Sequence, residues 1–183
     1  ISPVNSNTIL ASSTSAIWRT TNGGSTWSII TGIIATAGAQ ITDICMDNQN
    51  PNNIFATLSG YVNGNKVYKS NDGGLTWINY SNGLPNIPIN CIVYVNNSAQ
   101  GVYVGTDVGV YYREASMNSW VQFSNGLPNV IVDDMEIYYP TGKLRAATYG
   151  RGVWETDLYS DPLGVPVGAF YNGFSSACVN TPL

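Results

Sequence analysis

The chain reads as an all-β protein assembled from repeated four-stranded units, and three observations say so. A tryptophan-ended motif recurs along it, its apolar runs are short and bounded by turn residues, and no window carries helical periodicity. The first repeat is Ile17-Trp18-Arg19-Thr20-Thr21-Asn22-Gly23-Gly24-Ser25-Thr26-Trp27, which returns as Val67-Tyr68-Lys69-Ser70-Asn71-Asp72-Gly73-Gly74-Leu75-Thr76-Trp77. A second is literal: Ser81-Asn82-Gly83-Leu84-Pro85-Asn86 recurs as Ser124-Asn125-Gly126-Leu127-Pro128-Asn129. Trp77 and Trp120 keep the same spacing as the two copies of that hexapeptide, so both markers share one register.

The elements follow in order. Strand openings align at Ile41-Thr42-Asp43-Ile44, Ile89-Asn90-Cys91-Ile92 and Ile131-Val132-Asp133-Asp134. Each opening leads to a polar turn and a second run, at Ile54-Phe55-Ala56-Thr57, Val102-Tyr103-Val104 and Leu144-Arg145-Ala146-Ala147. A third run follows at Val67-Tyr68-Lys69, Val110-Tyr111-Tyr112 and Val153-Trp154-Glu155. β-branched and aromatic runs between Gly, Asn and Pro are strands. Units of about 40 to 50 residues with four short strands each are what a β-propeller blade requires. The expectation is therefore about three and a half blades of a larger propeller over 1–158: the end of one blade (1–31), complete blades at 41–80 and 89–123, and a fourth lacking its outermost strand. Because raw strand edges invite aggregation, either further blades precede Ile1, the favoured expectation, or the N-terminal segment supplies the last blade's missing outer strand and closes a small ring.

Composition narrows the chemistry. Charged residues make up 10% of the chain, far below the roughly 25% of an ordinary soluble domain. The net charge is -4 and the seven Lys and Arg are scattered, so no basic stripe exists to neutralise phosphates and nucleic acid is excluded as a partner. No apolar run approaches the roughly 20 residues that span a bilayer, so no membrane insertion is expected. Opening on Ile1-Ser2-Pro3-Val4, the sequence reads as a mature or excised segment. Cys45, Cys91 and Cys178 form no CxxC pair, and their pairing stays open. With no histidine, neither a zinc site nor a Ser–His or Cys–His nucleophile is expected, and no metal or cofactor is assigned.

Ser70 to Trp77 resembles the Asp-box of BNR-type β-propellers at every fixed position, Ser70, Asp72, Gly74, Thr76 and Trp77. Thr20 to Trp27 carries Thr20, Asn22 in place of Asp, Gly24 and Trp27, whereas Arg113 to Trp120 keeps only Ser119 and Trp120. Such boxes occur in sialidases, sortilin-type domains, xyloglucan-cleaving glycosidases and photosystem-assembly propellers, so the resemblance implies a fold and no single activity. The expected role is architectural: Asp72 accepts amides of its own turn, Gly73 and Gly74 supply backbone angles a Cβ would penalise, and Trp77 wedges between blades. The segment from Asp133 to Glu155, with Tyr149-Gly150-Arg151-Gly152, is similar to the closing blade of large secreted proteins of the Bacteroidetes. Those proteins often continue into PKD-type, immunoglobulin-like domains and leave by type IX secretion. The resemblance accordingly implies a linker at 159–168 and the first strands of a PKD-like domain at 169–183.

Catalysis has few candidates. A sialidase needs three converging arginines; Arg19, Arg113 and Arg145 are spread over strands of different blades, so that activity is not expected. Inverting glycosidases use two carboxylates separated by room for a water. Asp43 and Asp133 align on innermost strands, with Asp134 adjacent, and make the candidate catalytic group. The competing reading has them cap strand entries, and Cys91 at the intermediate blade's position interrupts an acidic ring. Tyr138, Tyr149 and Arg151 are the candidate binding residues, able to stack on and hydrogen-bond to a sugar. The expected function is a secreted, cell-surface binding or structural module (an adhesin, surface or filament component), non-catalytic in this segment. Its partner would be a polysaccharide or another surface protein. The alternative is a fragment of a propeller glycoside hydrolase, and a peptide-binding, sortilin-like role is the third reading.

Overall fold

A computed structural model of the chain describes residues 1–159 and 169–172. These residues form four antiparallel sheets and no α-helix. The first sheet comprises β1 (Ile9–Ser12), β2 (Ile17–Thr20) and β3 (Ser28–Ile29). The second runs β4 (Ile41–Met46), β5 (Ile54–Leu58), β6 (Val67–Ser70) and β7 (Ile78–Asn79). The third runs β8 (Ile89–Tyr94), β9 (Val102–Thr106), β10 (Gly109–Arg113) and β11 (Val121–Gln122). The fourth runs β12 (Val132–Tyr138), β13 (Lys143–Thr148), β14 (Gly152–Asp157) and β15 (Tyr171–Asn172). In every sheet the strands follow chain order, each antiparallel to the next.

Successive sheets stack through apolar seams, with the first strands β4, β8 and β12 in contact along one side, as blades of a propeller do. Ile17 and Ile30 meet Ile54, Tyr68 and Trp77 in the first seam. Phe55, Val67 and Tyr80 meet Ile92, Val104 and Trp120 in the second. Tyr103, Val110 and Phe123 meet Met135, Leu144 and Phe170 in the third. β5 and β9 lie inside the stack, and every residue of each is buried. Sheets covered on both faces need apolar or small residues at consecutive positions, which is why these runs show no polar alternation.

β4, β8 and β12 each bulge at the same place, between Ile41 and Asp43, Ile89 and Cys91, and Val132 and Asp134. The registers therefore make Asp43, Cys91 and Asp134 equivalent. Aligning the strand openings by sequence pairs Asp43 with Asp133 instead, one residue out, because Ile131 precedes β12 and Val132 holds the place of Ile41.

The fourth sheet also departs from expectation. It does not lack its outermost strand, because Tyr171–Asn172 pairs with Trp154 and Glu155 of β14. Phe170 immediately before it holds the place that Trp120 holds before β11. The Trp120 amide donates to the Asn82 carbonyl, and the Phe170 amide donates to that of Asn125, the same asparagine of the repeated hexapeptide. A Cβ on Gly83 would stand 2.8 Å from the Trp120 carbonyl oxygen, and one on Gly126 2.5 Å from that of Phe170. Glycine at both positions lets the loop backbone press against the incoming strand. The expected PKD-like segment thus gives its residues 169–172 to the fourth sheet, and 173–183, with Cys178, lie outside the described residues, as does 160–168 of the expected linker.

Candidate functional site

The box turn at Ser70–Trp77 is closed by its own side chains. The Ser70 hydroxyl donates to Asp72 Oδ1 at 2.7 Å and accepts the Gly74 amide at 2.8 Å. Asp72 Oδ1 accepts the Thr76 amide at 2.9 Å and Oδ2 accepts the Thr76 hydroxyl. These donors, the Thr76 hydroxyl first, hold the Asp72 carboxyl down to about 2. In the first box Asn22 reproduces the ring. Its Oδ1 accepts the Thr20 hydroxyl and the Thr26 amide, while its Nδ2 donates to the Thr26 hydroxyl at 2.8 Å. A charge is therefore dispensable to the turn. In the third turn Glu114 accepts from Tyr112 and Ser116, and Arg113 Nε donates to the Met117 carbonyl.

The tryptophans after these turns join sheets. Trp77 Nε1 donates to the Ile30 carbonyl of the sheet before it, and Trp120 Nε1 to the Tyr80 carbonyl, each at 2.6 Å. Trp27 has no preceding sheet among the described residues and stays 44% exposed. Cations add further ties: Arg19 reaches the Gly73 carbonyl and Asn52, Lys69 reaches Gln100, and Arg113 reaches the Tyr80 carbonyl while its guanidinium lies 3.6 Å from the centre of the Tyr80 ring. Burial lowers the Lys69 and Arg113 proton affinities, while both groups face carbonyls and ring faces.

Asp43 is similarly occupied. Its Oδ1 accepts the Ile44 amide at 2.8 Å and its Oδ2 the Ile92 amide of the next sheet at 2.9 Å. Burial pushes its carboxyl up from the ordinary value, against the pull of those amides. Asp134 repeats the first of these bonds, accepting the Met135 amide at 2.8 Å, and it and Asp133 are exposed.

Tyr149 and Arg151 lie in the exposed turn from β13 to β14, beside the start of β12, where the Tyr149 amide donates to the Ile131 carbonyl. Tyr138 ends β12 opposite Lys143, at the other end of that hairpin. The structure therefore brings Tyr149 and Arg151 together near Asp133 and separates Tyr138 from them. Tyr138 instead lies under the Arg145 guanidinium, 4.3 Å from its ring centre.

A cavity of about 590 Å³ opens where β4, β8 and β12 converge, between Ile44 to Met46 of β4, Ile92 to Tyr94 of β8 and Met135 to Ile137 of β12, with Leu10 of β1 also in its wall. Its walls are mostly apolar, and Cys45 there is a free thiol whose proton burial holds tightly. Among the described residues no group of three or more His, Cys, Asp or Glu is placed to hold a metal, and no helix is long and apolar enough to cross a membrane. Two features escape the sequence reading. Phe170 is hidden by the long separation from its partner loop at 125–126, although the repeated hexapeptide marks that loop. The pairing of Glu136 with Arg145 across β12 and β13 becomes visible only when strand registers are known.

No protein-family profile matches the chain, and no curated protein sequence matches it. Solved structures do. An ancestral GH74 enzyme superposes with a TM-score of 0.62 at 18% identity, over 85% of this chain and 23% of that one. The GH74 xyloglucanase of Xanthomonas campestris superposes with a TM-score of 0.66 at 15% identity, over 85% of this chain and 27% of that one. YCF48 bound to D1 peptide gives a TM-score of 0.61 at 16% identity, over 93% of this chain and 52% of that one. The chain thus spans about a quarter of the GH74 enzymes and about half of YCF48, and at such identities the likeness is one of fold. It agrees with the sheet topology: this is a partial β-propeller.

Proposed function

We propose that this chain is a non-catalytic propeller segment of a larger secreted or cell-surface protein, serving as a binding or structural module such as an adhesin, surface or filament component. The observation that carries the reading is that two acids the sequence singles out, one catalytic candidate and the box carboxylate, are occupied by the fold. Asp43 spends both oxygens on backbone amides of two sheets, and Asp72 spends its own on one turn. A carboxylate held by amides across a seam is poorly placed to activate a water. The partner on this reading is a polysaccharide or another surface protein. Residues 173–183, following the fourth sheet, would lead into the PKD-like domain, and type IX secretion would export the whole. The test is a panel of neutral and acidic polysaccharides assayed for retention and for released reducing ends. Retention without cleavage supports the module.

A second reading, a fragment of a propeller glycoside hydrolase, is favoured by one observation: Asp133 and Asp134 stand exposed beside the Tyr149–Arg151 turn. Cleavage products that disappear in the double variant Asp133→Asn/Asp134→Asn would replace the first reading with this one.

A further inference from the structure

An asparagine followed by glycine carries a slow reaction of its own. The glycine has no Cβ to hinder its amide nitrogen, so that nitrogen reaches the asparagine Cγ wherever the peptide between them is free to turn. The chain holds five such pairs, beginning at Asn22, Asn63, Asn82, Asn125 and Asn172. The glycine after Asn172 lies outside the described residues, and the fold treats the other pairs very differently.

Three are locked. The Asn22 side chain closes the first box turn, and the Gly23 amide donates to the Asn7 carbonyl at 3.0 Å. Asn82 Nδ2 donates to the Asn118 carbonyl at 2.9 Å. The Asn82 backbone carbonyl accepts the Trp120 amide, and that of Asn125 accepts the Phe170 amide. Added Cβ atoms on Gly83 and Gly126 would stand 2.8 and 2.5 Å from the carbonyl oxygens of Trp120 and Phe170, so neither peptide can roll without striking backbone.

Asn63 and Gly64 are held by nothing comparable. They are the central residues of an exposed turn in the loop between β5 and β6, closed by the Asn65 amide on the Val62 carbonyl at 3.3 Å. Among the described residues, the Asn63 side chain, the Asn63 carbonyl and the Gly64 amide have no hydrogen-bond partner. A Cβ on Gly64 would meet nothing within 4 Å. The base of the loop is nevertheless pinned. Lys66 Nζ donates to the Gly60 carbonyl at 2.7 Å, Asn65 Nδ2 to the Ala37 carbonyl at 3.1 Å, and Asn79 Nδ2 to the Gly64 carbonyl at 2.6 Å. The last bond fixes the peptide after Gly64 and leaves the one before it free, so the tip can turn while the sheet stays folded.

We propose that Asn63 is a site of spontaneous deamidation in the folded protein, with water as the co-reactant. Solvent base removes the Gly64 amide proton and the nitrogen attacks Asn63 Cγ. The Cγ–Nδ2 bond then breaks, and the leaving nitrogen takes a proton from solvent and departs as ammonia. Water opens the resulting succinimide at either carbonyl, giving aspartate or isoaspartate. Each event adds one negative charge to a chain whose net charge is -4. Isoaspartate also inserts a methylene into the backbone of the turn, next to the Gly64 carbonyl that Asn79 holds.

Peptide mapping by mass spectrometry of the full chain, aged at neutral and mildly alkaline pH, tests this, with isoaspartyl methyltransferase labelling to identify isoaspartate. In the folded chain Asn63 should react at least about tenfold faster than Asn22, Asn82 and Asn125, whose reaction waits on local opening. Its rate should rise with pH, and its lead should largely disappear in urea. Asn63→Gln, which would have to close a larger ring, should remove the early acidic species on isoelectric focusing and leave the melting temperature unchanged. If Asn22, Asn82 or Asn125 keeps pace with Asn63 in the folded chain, or Asn63 survives as long as they do, the proposal falls. A lead undiminished in urea would trace the reactivity to neighbouring sequence and overturn the structural argument.

Discussion

The inter-sheet tryptophans make a graded experiment, because three copies of one residue sit in three different surroundings. Trp77 is 8% exposed and its indole N–H is the donor found for the buried Ile30 carbonyl. Trp120 is 3% exposed, but its acceptor, the Tyr80 carbonyl, also receives Arg113 Nη1 at 2.9 Å. Trp27 is 44% exposed and its indole donates to no described residue. Replacing each with Phe keeps a ring and removes the donor. At Trp77 the change leaves a buried carbonyl unsatisfied, which costs about 1–3 kcal/mol. At Trp120 the carbonyl keeps its guanidinium, so the loss falls to roughly the net worth of one hydrogen bond, about 1 kcal/mol. At Trp27 the effect stays within about 0.5 kcal/mol. The alanine variants of the two buried residues lose about 3–5 kcal/mol, or roughly 6–20 °C of Tm in a chain this long. Urea unfolding followed by circular dichroism measures the series. If Trp120→Phe costs more than Trp77→Phe, or Trp27→Phe costs as much as either, the seam argument fails.

Four further outcomes are expected. Asp72→Asn should match the parent at neutral pH, since Asn22 closes the equivalent turn, whereas Asp72→Ala should melt lower. Because the folded carboxyl is held down to about 2, its contribution is full above its ordinary value of 3.8 and is lost as the pH falls towards 2, a decline that melts of Asp72→Asn should not show. Asp43→Ala should cost about 1–3 kcal/mol by orphaning the Ile92 amide. The folded Asp43 carboxyl is raised, so its contribution is greatest below 3.8 and fades as the pH climbs through the raised value; chemical denaturation should find the variant's deficit smaller at pH 7 than at pH 4. Gly74→Ala should cost more than Gly24→Ala in thermal melts. Both have positive φ, worth about 1–2 kcal/mol, but only at Gly74 would the new Cβ overlap Ile30, at 2.5 Å. Phe170→Ala should cost about 3–5 kcal/mol if residues 169–172 belong to the fourth sheet, and an unchanged melt would remove them from it.

Much of the architecture was legible because propeller units are local. A turn such as Ser70–Trp77 closes on its own side chains, so its residues announce it wherever it occurs, and the short β-branched runs around it announce strands. The one-residue error at Asp133 has an equally local cause. The bulge that shifts register between Val132 and Asp134 leaves no mark in residue type, and Ile131 imitates the strand opening that Val132 provides. Likewise Phe170 lies beyond 160–168, while its partner loop is at 125–126, and no spacing rule links positions joined only by an interface.

The sequence by itself determined an all-β chain of repeated units, the turns that separate them and the tryptophans that anchor them, since each depends on residues close together along the backbone. Tertiary structure alone decided which acids are already employed and which face solvent. Asp43 and Asp134 hold the same register in their sheets, yet the first spans a seam to Ile92 and the second is exposed. That distinction arises from the stacking of sheets, which sets the surroundings of a carboxylate and hence what it can bind.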